Sequence, residues 1–268
     1  MSAPVRAVDR ALDILTCFNS ESPVLSLTQI AQKVGISKST VHRLLASLEQ
    51  RRFIRRDKIT GLYRLGVRIV EMGALALRDV NVQQWVQPYL QQLSAECGET
   101  IDLAILDGEH VVYLQVIESP QRVKIAASVG QRLPAYCTAS GKAFLAYLPD
   151  DQVKHILSKG LPRYTSQTYT ALEDLYADLR LTRQRGFAVS EQEYETDINA
   201  IAAPVLDGNN YPVMVIAVVG PSYRMSHERM LELGSSVRKV TDTIAKELGQ
   251  SALSTILSLT PQNGVTES

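Results

Sequence analysis

The stretch VLSLTQIAQKVGISKSTVHRLLASLEQRRFIRR, residues 24–56, holds two helical patterns separated by a glycine. Ser26, with Gln29 three residues on, has the form of a capping box and predicts a helix reaching about Val34. Ile30, Ala31 and Val34 give that helix a short apolar face. Gly35 can take the positive φ that ends a helix, and Ile36 then enters the core at the turn. Ser37 is placed to cap a second helix, where Val41, Leu44, Leu45 and Leu48 recur at i, i+3, i+4 and i+7 as one buried stripe. The opposite face of its first turns carries Lys38, Ser39, Thr40, His42 and Arg43. Each can donate a hydrogen bond to a phosphate or a base edge. The helix N-terminus adds a partial positive charge that suits a phosphate.

Upstream, RAVDRALDILTCF (residues 6–18) predicts a third helix, with Val8, Leu12, Leu15 and Phe18 closing a small core. Downstream, FIRRDKITGLYRLG (residues 53–66) reads as a short β-hairpin: Ile54, a polar turn at 57–61, then Leu62 and Leu65. Arg55, Arg56, Lys58 and Arg64 make it a basic wing. Helix, turn, helix and wing in this order predict a winged helix-turn-helix that places its second helix in the major groove. A small helical adaptor with solvated basic residues is the competing reading. Charge favours DNA: residues 1–78 hold 13 Lys+Arg against 6 Asp+Glu, net +7, while residues 79–268 hold 15 against 22, net −7.

The segments SLTQIAQKVGISKSTVHRLLASL and YRLGVRIVEMG resemble the isocitrate lyase regulator (IclR) family of bacterial transcription factors. So do GQRLPAYCTASGKAFLAYL and RGFAVSEQEYETDINAIAAPVLD, followed by VIAVVGP. The resemblance covers nearly the whole chain, in the family's order and spacing. Arg52 departs from it, because members commonly carry glycine at the turn into the wing. The resemblance implies dimers through the N-terminal region, often paired into tetramers, and a GAF-like effector domain.

Residues 67–78, VRIVEMGALALR, predict a linker helix with Ile69, Met72 and Leu75 on one side, suited to packing on its own domain or on a second copy. A dimer fits DNA reading, since one recognition helix contacts few bases. Beyond residue 79 the pattern is α+β rather than parallel α/β. A helical segment that Pro88 can kink or restart precedes two strands around an Asp107–Gly108 turn, and RVKIAASVG (residues 122–130) is expected as a third strand. Helices follow from about Ser140, in DDQVKHILSKG and in ALEDLYADLRLTRQRG. Strands at GFAVSEQE and on both sides of an Asp207–Asn210 turn, then a helix from about Ser226 to Leu248, complete an antiparallel sheet with helices on it. The expected organisation is therefore a DNA-binding domain over 1–66, a linker over 67–78, and an effector-binding and oligomerisation domain over 79–268.

YCTASGKAFLAY, residues 136–147, resembles an active site. Its SGK is not a phosphate loop: position 136 is Tyr where glycine is needed, and Ala143 follows Lys142 where Ser or Thr would hold magnesium. Cys137 or Ser140 as nucleophile needs a base, and the four histidines are scattered, so an enzyme using the 137–142 segment is the weaker alternative. A non-specific architectural DNA binder is a third reading. No metal-ligand spacing occurs, and no cofactor is expected. Thr138, Ala139, Ser140 and Gly141 instead predict a helix N-terminus offering N–H groups to a small carboxylate. The resemblance places the family's pocket here and, carried over by position, adds Cys137, Ser190, Ile198, Ala200, Ala217 and Val219, with Leu133 at the mouth. These positions are mostly apolar, which points to an organic acid with an apolar, even aromatic, body. Glu191, Glu193, Glu195 and Asp197 read as a solvated loop edge. Cys137 is a candidate redox switch, because a helix N-terminus lowers a thiol pKa. Three widely spaced cysteines, no apolar run long enough for a membrane and no signal-peptide pattern point to the cytoplasm.

Overall fold

A computed structural model describes residues 5–19, 22–78 and 82–257. The chain divides into two compact units, residues 1–79 and 80–268. In the first, α1 (Arg6–Thr16), α2 (Leu27–Val34) and α3 (Lys38–Gln50) precede a two-stranded hairpin, β1 (Ile54–Arg56) with β2 (Tyr63–Leu65), and then α4 (Val67–Arg78). The capping box forms as expected: Ser26 Oγ accepts from Gln29 N–H at 3.3 Å, and Gln29 Oε1 accepts from Ser26 N–H at 2.9 Å. Gly35 ends α2 at φ 65°. Ile14, Ile30, Val41, Leu45, Ile54 and Tyr63 form the core, where each fully buried aliphatic side chain contributes about 1.5–3 kcal/mol relative to exposure.

Of the expected α1 face, Leu15 and Phe18 pack in the core but Val8 and Leu12 do not. Val8 and Leu12 are each 54% exposed, while Ile14 is fully buried and Phe18 nearly so. At about 100° per residue, Val8 and Leu12 lie roughly 120° and 160° around the helix from Ile14. The three-helix core is small enough to take only the stripe containing Ile14, Leu15 and Phe18. On α4, Ile69 is half-buried and Met72 is exposed; the side chain of Leu75 lies outside the described residues.

The second unit opens with α5 (Val82–Cys97), which runs through Pro88 without a break. Then come β3 (Thr100–Asp107), β4 (His110–Ile117), β5 (Arg132–Pro134), α6 (Ala139–Leu145), α7 (Asp150–Leu157), α8 (Leu172–Arg185), β6 (Ala188–Glu191), β7 (Ile198–Leu206), β8 (Pro212–Pro221) and α9 (His227–Leu257). The six strands form one antiparallel sheet in the order β5-β4-β3-β8-β7-β6. Alternation sorts its two faces. Ile101, Leu103, Ile105, Ile201, Ile216 and Val218 share a core with residues of α5 and α9. Ala104, Ala188, Ala202, Val215, Ala217 and Val219 cluster with Ala139, Ala143 and Phe144 of α6. The many alanines on this second face leave room beneath α6.

The stretch 122–130 is not a strand. Its apolar alternation is real, with Ile125 and Ala127 half-buried and Val123 and Val129 exposed. The edge position beside β4 is taken instead by β5, through Val111 opposite Leu133. The 122–130 segment therefore stays irregular.

Candidate functional site

Two sites emerge, one in each unit. In the first, Ser37 caps α3, its Oγ accepting from Thr40 N–H at 3.4 Å and lying 3.1 Å from Ser39 Oγ and 2.9 Å from Thr40 Oγ1. Lys38, Ser39, His42 and Arg43 are exposed on the first turns, and Thr40 is half-buried. Burial of Val41 and Leu45 turns this polar face outward. The wing tip is fixed by Asp57, whose Oδ1 accepts from Ile59 N–H at 2.9 Å and Thr60 N–H at 2.8 Å. Arg55 and Lys58 are exposed. Arg56 braces the hairpin: its Nε donates to Gly61 O at 3.2 Å and its guanidinium stacks 5.5 Å from the Tyr63 ring centroid. Arg55 faces Arg64 across the ladder, two like charges directly opposite, an arrangement that disfavours the bare hairpin. At the root of the wing Arg52 adopts φ 64°, so the turn keeps a glycine-like conformation without a glycine.

In the second unit a cavity of about 80 Å³ lies beneath α6; a single water needs only about 10–15 Å³ of such space. Of the residues singled out in the sequence, Leu133, Cys137, Thr138, Ala139, Ser140, Ser190, Ile198, Ala200 and Val219 line it. Gly141 and Ala217 do not. A Cβ on Gly141 would lie 2.0 Å from Ala135 O, so this glycine lets α6 seat on that backbone. Ala217 pairs with Asp102 on the neighbouring strand. Thr138 is engaged by the fold: Oγ1 donates to Pro134 O at 2.9 Å and accepts from Gly141 N–H at 3.2 Å. Among the described residues, the Ala139 and Ser140 N–H groups have no acceptor.

Asp102, Tyr113 and Tyr194 are among the lining residues that sequence reasoning passed over, and Glu195, expected on a solvated edge, also lines the cavity. Asp102 is 1% exposed, and its Oδ1 has no hydrogen-bond partner among the described residues. Burial pushes its carboxyl up to about 7, and the Tyr113 contact opposes this only in part. Its signal in the sequence is an acid inside the apolar run of TIDLAILD, a position that burial ordinarily excludes; the other acid, Asp107, stands at the strand's end.

Two expectations fail beside the cavity. Glu193 is not on a solvated edge: it is 5% exposed, and its Oε1 accepts from Lys142 Nζ at 2.5 Å. Lys142 is itself wholly buried, also lies 2.8 Å from Asp178 Oδ2, and stacks 5.2 Å from the Tyr169 ring centroid. Burial pulls its pKa down, but Glu193 and Asp178 outweigh it and hold the ammonium above the ordinary lysine value. The second failure is Cys137. Burial and then the charge of Glu193 push its thiol up to about 12, opposite to what a redox switch needs.

The family model for the bacterial transcriptional regulator IclR C-terminal domain matches residues 74–246, and that for the IclR helix-turn-helix domain matches residues 7–58. This chain belongs to the IclR family. The transcriptional repressor IclR of Escherichia coli is 31% identical over 248 residues, covering 91% of this chain and 90% of that protein. The acetate operon repressor of Salmonella typhimurium is 30% identical over 252 residues, covering 93% and 92%. An IclR transcriptional regulator from Alicyclobacillus acidocaldarius superimposes with a TM-score of 0.81 at 29% identity, covering 92% of this chain and all of that one. As an IclR-family member the chain is a transcriptional regulator with a helix-turn-helix for DNA and a C-terminal domain for a small-molecule effector. Among the described residues no helix is long and apolar enough to cross a membrane.

Proposed function

We propose that α3 enters the major groove of a double-stranded operator, with Lys38, Ser39, Thr40, His42 and Arg43 on bases and phosphates and Ser37 holding the helix start. Arg55, Arg56 and Lys58 lie along the neighbouring backbone. A phosphate between Arg55 and Arg64 would relieve their repulsion, so the wing gains more from DNA than its charge count suggests. The observation that carries this reading is the capped α3 whose polar first turns face solvent while Val41 and Leu45 hold it on the core.

The effector is a small organic acid with an apolar body. Its carboxylate takes the Ala139 and Ser140 N–H groups, and Leu133, Ile198, Ala200 and Val219 hold the rest. The chain acts in the cytoplasm as a homodimer that pairs into a dimer of dimers, with domain limits at 66 and 78, and catalyses no reaction. Val67, Val70 and Met72 on α4, 47–69% exposed, offer an apolar surface for a second copy. Effector binding alters operator affinity to the extent that it favours one arrangement of the dimer over another. Selecting duplexes from a random pool, then adding organic acids to the complex, tests this. Enrichment of a two-fold symmetric sequence, released by an acid, is expected; no enrichment contradicts it.

A further inference from the structure

Asp102 is anomalous wherever it is viewed from. It stands on β3 between Ile101 and Leu103, opposite Ala217 on one side and Val116 on the other. An apolar residue would suit that place for stability alone, because a buried polar atom without a partner destabilises the fold. Tyr113 lines the same cavity as Asp102, and Oδ1 of Asp102 is buried without a hydrogen-bond partner among the described residues. No lysine, arginine or histidine is among the residues lining that cavity, so no side-chain cation there compensates it. Its raised pKa agrees with a carboxyl desolvated by burial.

We propose that Asp102 is a specificity-determining residue: its free Oδ1 accepts a hydrogen bond from a hydroxyl or N–H on the bound molecule, so that the effector is an organic acid carrying a donor substituent on its apolar body. This rests on the organic-acid reading of the cavity. The same carboxyl disfavours an unsubstituted acid, which leaves Oδ1 buried and unpartnered beneath an apolar surface. Sites built around a buried polar group reject analogues lacking the partner more strongly than apolar pockets reject extra bulk.

The test uses matched acids differing only in the donor: aliphatic and aromatic monocarboxylates from acetate to phenylacetate, each beside its hydroxy and amino derivatives. Affinity for the full-length protein is read by thermal shift and then by calorimetry. Among acids that bind, the hydroxy or amino member is expected to bind about tenfold or more tightly than its parent. The hydroxy and amino arms show which donor is taken. In Asp102→Ala that preference is expected to fall to within about twofold, with the parent acid bound no more weakly than by wild type. Should Asp102→Ala not fold, Asp102→Asn keeps the shape, removes the charge and is expected to lose the amino preference first. Parent acids that bind wild type as tightly as their derivatives overturn the proposal, as does a preference that survives Asp102→Ala. If acids of neither kind bind, the organic-acid reading itself fails, and the role of Asp102 falls with it.

Discussion

Lys142 follows a serine and a glycine in the sequence, in the guise of a reactive or phosphate-binding lysine, yet in the fold it is the centre of a buried ionic cluster with Asp178 and Glu193. Removing one partner of such a cluster leaves the other charges buried and uncompensated. Lys142→Met is therefore expected to destabilise the C-terminal unit by about 3–5 kcal/mol, measurable as a lower urea midpoint with an unchanged slope. A near-neutral result would mean that the two acids re-protonate or reach water. Asp102 gives a second prediction, in pH. Its folded pKa, about 7, lies above the ordinary 3.8, so the native state holds the proton first. That contribution is complete below about pH 4 and is lost as pH rises through about 7. Asp102→Asn has nothing to lose there. Its stability relative to wild type is expected to grow across that window by up to about 1.4 kcal/mol per pH unit; a pH-independent offset contradicts the assignment. These residue roles were the least legible part of the sequence. An acidic run looks solvated whichever member is buried, and burial of Glu193 depends on Lys142, 51 residues away in the chain.

Elements were easier to read than faces. The capping box at Ser26, the glycine stop at Gly35 and the Ser37 cap are local chemistry, and each formed where the sequence placed it. Val8 and Leu12 of the expected α1 face, and the expected strand at 122–130, differ in the fold because two periodic stripes, or two candidate edge segments, compete, and only tertiary packing chooses between them. Arg52 shows packing imposing a conformation on an unsuitable residue. Gly66 approaches so closely that a Cβ there would lie 2.1 Å from Arg52 O, fixing the wing root with Arg52 at φ 64°. Arg52→Gly is expected to stabilise the DNA-binding unit by about 0.5–1 kcal/mol, since glycine takes a left-handed φ without the side-chain clash. A loss of stability in thermal melts would show that the weak 3.9 Å Arg52–Glu71 contact matters more than the strain. Gly141→Ala is expected to be far worse. Its Cβ meets the Ala135 backbone, which cannot swing away as a side chain would, so α6 must move and the cavity with it.

At the scale of the molecule, zero net charge conceals a basic module followed by an acidic body, and that asymmetry with the α3 pattern makes DNA binding legible in the sequence alone. The cavity was legible only in part. Positions carried over from the IclR resemblance found most of its α6 and β6–β8 wall, but not the acid supplied by β3. On the proposed reading the polar first turns of α3 contact the operator while the effector binds in the other unit, so a substitution on α3 leaves effector binding intact. Fluorescence anisotropy at one fixed salt tests it, using a duplex that wild type selects from a random pool and a scrambled control. Wild type is expected to prefer the selected duplex by at least about 10³-fold. Arg43→Ala is expected to lose about 1–3 kcal/mol on it, while the thermal response of the protein to organic acids stays as in wild type. Equal affinity of Arg43→Ala and wild type for the selected duplex would contradict the account.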